Sequence, residues 1–192
     1  MKASTSVGPI LDLSLREFIA KTNKERPDIT GGCVLLTNAS FTAVMVLMAL
    51  RISMKKAEDP AEKRFLKKQV RAISNIQVAL AKAAEYDLRT FDEYRKLLRS
   101  RAKDRAERLD VALSKATDSL LDVCKLLHHA VQHTEAVKPH AHQSVVSDVE
   151  AALLILNALK QSMMALADGN IASLPEARQA DYKQWKEKLA QD

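Results

Sequence analysis

Between Cys33 and Ile52 the chain is apolar nearly all round, interrupted only by Thr37, Asn38, Ser40, Thr42 and Arg51. A helix that is apolar on every side is a helix buried on every side. The interruptions keep the run short of the roughly eighteen clean residues that a membrane span wants, so a central core helix is expected here. Ahead of it, Leu15, Phe18 and Ile19 give a short helix one inward face, with Ser14 and Glu17 as its capping box and Asn23 and Pro27 as its stop. Behind it, Asp59-Pro60-Ala61-Glu62 opens a long helix with a cap, a proline at the first position and a box-like pairing. Its inward stripe runs Leu66, Val70, Ile73, Ile76 or Gln77, Leu80, Ala84, Asp87, Phe91, Tyr94 and Leu98.

The stripe vanishes between Arg99 and Asp104, where Ser100 begins a connection, and resumes with Leu109, Leu113, Leu120, Val123 and Leu127. This fourth helix is expected to end before Lys138-Pro139, because a residue preceding proline avoids helical geometry. A fifth opens at Ser147, with Glu150 as its box partner, and runs through Leu153, Leu156, Leu159 and Met163 to Gly169. Ser173-Leu174-Pro175-Glu176 reads as a further box, starting a polar last helix that carries Trp185 and Leu189. Residues 1–10 lack periodicity and read as a loose arm. The expectation is one all-α domain over residues 1–192, an antiparallel bundle of five to six helices. The central helix and the nearly all-apolar fifth offer more apolar surface than one small bundle covers, which points to a homodimer.

Composition agrees with the pattern. Four glycines and 4% aromatics in 192 residues leave little material for strands and their turns. The two cysteines, Cys33 and Cys124, lie far apart in a chain that shows no secretory leader, so they read as reduced packing thiols of a cytoplasmic protein. A net charge of +6 raises the question of nucleic acid. The densest basic run, Arg95 to Arg108, has no aromatic platforms of the kind that single-strand binders use, and a solvated helix face is the better reading. All five histidines fall between His128 and His142. His129 and His133 are one turn apart, but no glutamate completes a zincin pattern and no thiolates are supplied at short spacing, so a surface cluster is expected and no metal.

Two features carry candidate chemistry. Gly31 and Gly32 stand side by side ahead of the apolar helix. They read either as a tight turn into a core helix or as a backbone bend that leaves the helix's first N–H groups open to an anion or a polar ring edge. Asp87 sits on the face of the third helix meant for the core. A carboxylate there is costly unless bonded or wet, so it is either paired with a buried donor or lines a pocket.

The order and spacing of these pieces resemble the cyclodeaminase/cyclohydrolase family, from about Leu15 to Leu189. That family's Pro-Gly-Gly-Gly-Ser-Val turn falls on Ile29-Thr30-Gly31-Gly32-Cys33-Val34, and its Met-Val on Met48-Ala49. Its Asp four residues before an aromatic falls on Asp87 and Phe91, its Ser-Asp on Ser147-Asp148, and its Ile-Asn-Leu near Gly169-Asn170-Ile171. The resemblance implies a helical dimer, a tetrahydrofolate derivative as substrate and no permanently bound cofactor. It implies proton transfer by Asp87, with Asp148 either assisting or simply favoured at a helix N-terminus. Thr30, Gly31, Gly32 and Cys33 would hold the pterin or its tail through backbone N–H groups, Asn170 would bond a ring edge, and Phe91 would pack on an apolar face. The reaction would be either hydrolysis of the methenyl form or cyclodeamination of the formimino form.

The chain also departs from the pattern. Ile29 and Thr30 replace the family's proline and first glycine, and Leu35, Leu36, Phe41 and Met45 stand where smaller residues are usual. Such bulk is expected to narrow the pocket. The alternative is a divergent member that keeps the dimer, has lost the reaction and binds a related ligand or a protein.

Overall fold

In a computed structural model, residues 10–191 are described, with side chains described through Trp185. The expected loose arm therefore lies outside the described residues except at Ile10. That residue is buried at the start of a short 3-10 turn, Ile10–Asp12. Six α-helices follow: α1 (Leu15–Thr22), α2 (Gly31–Lys56), α3 (Pro60–Leu98), α4 (Arg105–Val137), α5 (Val146–Ala172) and α6 (Glu176–Gln191). There is no strand among the described residues.

The four long helices form a ring in the order α2, α3, α4, α5, each packed on its neighbours, while α2 and α4 barely meet across the diagonal. Core side chains come from all four: Leu36, Val46 and Leu50 of α2, Leu66, Ile73 and Leu80 of α3, Leu127 of α4, and Leu156 and Met163 of α5. The polar residues that interrupt α2 do not break it, because Asn38 and Arg51 are exposed and the buried hydroxyls find partners. Thr37, Thr42 and Ser53 donate to the carbonyls of Cys33, Asn38 and Ala49 at 2.8–2.9 Å. Ser40 accepts from the Gln77 side chain at 2.9 Å, and Ser53 also accepts from the His142 N–H at 2.9 Å. By length and mean hydropathy α2 and the segment Gln143–Ala172 would each suffice to cross a membrane, contrary to the sequence expectation for α2. Yet 61% of the apolar window of α2 is covered by its neighbours in the bundle.

Capping was legible for the first helices. Ser14 and Glu17 make the complete reciprocal box, and Asp59 accepts from the N–H groups of Ala61 and Glu62. The two later boxes are corrections. α5 starts at Val146 behind a 3-10 turn, with no side-chain cap, and Ser147 lies inside its first turn. Ser173 closes α5 rather than opening α6: its hydroxyl donates back to the Gly169 carbonyl at 3.2 Å. Leu98, expected inward, is 44% exposed. Leu189 falls outside the described side chains.

The helices are unequal, and this opens a space. α2 has 26 residues and α3 has 39. They pair antiparallel so that Ser40 meets Gln77 and Thr30 meets Asp87. Beyond Asp87, α3 continues for about three turns with no α2 beside it, and the end of α5 and the segment through Pro27 enclose what remains.

Candidate active site

A cavity of about 440 Å³ occupies this end of the bundle. From α2 and the segment before it come Pro27, Thr30, Gly31 and Gly32, and from α3 come Tyr86, Asp87, Thr90, Phe91 and Tyr94. α4 supplies a wall of mainly small side chains, Ala112, Ala116 and Ser119, with Leu113 and Leu120, and α5 closes it with Leu166 and Asn170. Among the described residues Asp87 is the only carboxylate lining the cavity, and no Lys, Arg or His joins it there.

Asp87 is held against the first turn of α2. The Thr30 hydroxyl donates to its Oδ2, and a Cβ placed on Gly32 would lie 3.0 Å from Oδ1 and 3.2 Å from Cγ. Gly32 is thus required by the carboxylate, which occupies the room that a side chain would take. The bend expected of the glycine pair is not there: no described glycine has positive φ, and both residues are the opening positions of α2 behind Thr30. A Cβ on Gly31 would meet nothing within 4 Å. Burial pushes the Asp87 carboxyl above the usual carboxylate range, opposed by its hydrogen bonds from the Thr30 hydroxyl and the Cys33 backbone.

Of the residues singled out in the sequence, Thr30, Gly31, Gly32, Asp87, Phe91 and Asn170 come together on the cavity. Asn170 does so from the last turn of α5, not from beyond it. Phe91 is backed by the Arg95 guanidinium, 5.3 Å over its ring, and Arg95 also donates to the Pro27 carbonyl at 3.4 Å and pairs with Asp92 at 3.0 Å. Cys33 is behind the wall, fully buried, and its N–H is shared between the Thr30 hydroxyl oxygen, at 2.9 Å, and the Asp87 carboxylate, so that group serves the cap and the carboxylate instead of facing a ligand. Its thiol is pushed up to about 12 by burial first and by the nearby Asp87 charge second, and stays protonated. Asp148 is in the first turn of α5. It lies roughly 33 Å along that helix from Asn170, at 1.5 Å per residue, and does not line the cavity. The α4 wall was missed, although Ala112, Ala116 and Ser119 recur at helical spacing on one face.

The bulky residues expected to narrow the pocket lie elsewhere. Leu36 is in the core, Phe41 is 52% exposed, and neither Leu35 nor Met45 lines the cavity. Of the departing residues Thr30 does reach it, and so does Leu120 of α4, which stands where the family pattern has a proline. His128, His129 and His133 stay near one another on α4, with the His128 and His129 ring centroids 5.9 Å apart, while His140 turns to other partners. His133 Nδ1 donates to Gln69 Oε1 at 2.7 Å, and His140 meets Glu62 at 3.2 Å while resting on Phe65. Among the described residues no group of three His, Cys, Asp or Glu is placed to hold a metal ion.

Comparison with known proteins bears on this arrangement at two levels. A search of curated protein sequences returns no match. Among solved structures, formiminotetrahydrofolate cyclodeaminase from Thermotoga maritima is similar, at 18% identity and a TM-score of 0.78. The likeness spans 95% of this chain and 94% of that one, so the fold is shared from end to end. The family model for formiminotransferase-cyclodeaminase matches residues 14–190, which takes in α1 to α5 whole, α6 up to its last residue and every cavity residue described above. With that coverage, the chain belongs to the formiminotransferase-cyclodeaminase family.

Proposed function

We propose that the protein is a folate-dependent one-carbon enzyme of cyclodeaminase type, acting on formiminotetrahydrofolate. The observation that carries this reading is the cavity itself: about 440 Å³, open, and lined among the described residues by one half-buried carboxylate and no cation. Such a site suits a positively charged ligand, and the formimino group, when protonated, and the methenyl product are both cations. A bound cation would draw the raised pKa of Asp87 back down, so that enzyme and substrate complete each other's charge.

The chemistry follows from the groups present. N10 of the substrate attacks the formimino carbon, which its two flanking nitrogens make electrophilic, and a tetrahedral adduct forms. Asp87 accepts the N10 proton and delivers it to the nitrogen of the former formimino group. The carbon–nitrogen bond to that group then breaks, ammonia leaves, and the methenyl cation remains. Charge and atoms balance, since the cation that enters leaves as a cation plus ammonia. Phe91, Tyr86 and Leu120 offer apolar faces to a flat ring, and Asn170 a polar contact at its edge. We favour ring closure over hydrolysis of the methenyl form because the family's name and that of the solved relative both specify cyclodeamination. The lapsed-relative alternative loses its main support, because the bulky residues of α2 leave the cavity open.

We also assign a homodimer. α2 exposes Phe41, Val44 and Met48, and α5 exposes Leu154 and Ile155, with Leu154 75% exposed. Only 28% of the apolar window of α5 is buried within one chain. A two-fold interface is the commonest way to cover such faces.

The test is an assay of the purified protein with formiminotetrahydrofolate, reading ammonia and the methenyl product together. Equimolar appearance of both is expected. Binding without turnover would leave a folate-binding relative, and neither binding nor turnover would refute the reading.

A further inference from the structure

Asp87 has two oxygens, and the surrounding structure treats them differently. We propose that Thr30 is a positioning residue that orients the Asp87 carboxylate for proton transfer by its bond to Oδ2. This rests on the cyclodeaminase reading above. The Thr30 hydroxyl oxygen accepts from the Cys33 N–H at 2.9 Å. Its one proton is then directed away from the helix, and it goes to Asp87 Oδ2. Oδ2 is thereby engaged, and the carboxylate is pinned at Gly32, whose Cβ position lies 3.0 Å from Oδ1 and 3.1 Å from Oδ2. Among the described side chains Thr30 is the donor to this carboxylate, with the Cys33 backbone acting beside it.

The chain of donors runs from the N-terminal turn of α2 through Thr30 to the carboxylate, so each bond polarises the next and the partial positive charge of the helix end reaches Asp87. One threonine therefore does two jobs: it caps α2 and it orients the reactive group. The buried Cys33 thiol on α2, pushed up to about 12, stays protonated beside Asp87. Tyr86 and Tyr94 face the cavity from α3, and among the described residues the α4 and α5 walls present no charged side chain.

Thr30→Ser keeps the hydroxyl, whereas Thr30→Gly removes it at a position where glycine is a tolerable cap. Thr30→Ser is expected to stay within about twofold of the parent. Thr30→Gly is expected to lose on the order of tenfold in kcat with KM nearly unchanged. The acidic limb of its kcat/KM profile should move to higher pH, because the charged carboxylate has lost a donor. A serine variant that behaves like the glycine variant would overturn the proposal, as would a glycine variant with parental kcat and pH profile, or one altered in KM alone. Carboxyl-carbon NMR titration of Asp87 in the parent and in Thr30→Gly needs no turnover and separates the two claims. An upward shift on losing the hydroxyl supports the orienting bond even if the parent fails to cyclise formiminotetrahydrofolate, and an unmoved titration refutes it even if the parent is active.

Discussion

At the scale of single residues, the site turns on a carboxylate occupying the space of a missing methyl group. Gly32→Ala would put a Cβ 3.0 Å from Asp87 Oδ1, and the carboxylate has to yield because the backbone of α2 cannot. A shift of a few tenths of an ångström in such a group is expected to lower turnover by roughly tenfold. Gly31→Ala meets open space and should stabilise by about 0.5 kcal/mol through the unfolded chain. Paired thermal melts and assays of the two variants check the contrast. Burial raises the pKa of Asp87, so the native state holds that proton more tightly than the unfolded chain does. Its contribution to stability is therefore fullest below the unfolded carboxylate range and is lost as pH rises through the raised value. At pH 7 the ionised group is a net cost, and Asp87→Asn should melt level with the parent or up to ~3 °C above it. That gain should fade in acid. A clear loss of stability at neutral pH would show instead that Asp87 serves the fold.

At the scale of elements, caps separate what the sequence could reveal from what it could not. Asp59 accepts two N–H groups at the start of α3, and Asp59→Ala should cost about 1 kcal/mol. Ser147 carries a similar sequence signature but caps nothing, so Ser147→Ala should change stability by less than about 0.5 kcal/mol. Equilibrium denaturation of the two variants tests both statements. The difference is tertiary: the 3-10 turn Gln143–Val145 and the buried Val145 and Val149 against Ala49 fix where α5 begins, and a local motif cannot register that packing. The core stripe of α3 was readable because burial repeats along it, and Asp87 stood out by breaking it. The α4 wall was not readable, because Ala112, Ala116 and Ser119 look the same whether a small residue admits a neighbouring helix or a ligand. Thr30 was named for its backbone, yet it acts through its hydroxyl. That bond joins residues 57 apart in the chain, and no local pattern encodes it.

At the scale of the whole molecule, four helices of unequal length create both the cavity and the uncovered faces. Sedimentation at micromolar concentration should give a dimer, and Leu154→Glu should give a folded monomer by placing a charge on the apolar face of α5. A monomeric parent protein would refute the assigned dimer. The cavity depends on α3 outrunning α2, which brings one carboxylate from α3 to the N-terminus of α2, opposite α4 and the end of α5. The central claim is that this carboxylate carries the proton in ring closure, and the most direct measurement is methenyl formation from formiminotetrahydrofolate by the parent and by Asp87→Asn under identical conditions. The amide keeps the shape of the group and cannot carry the proton, so the account predicts turnover by the parent and a loss on the order of a hundredfold or more in the variant. Parental turnover by the folded Asp87→Asn protein would contradict it.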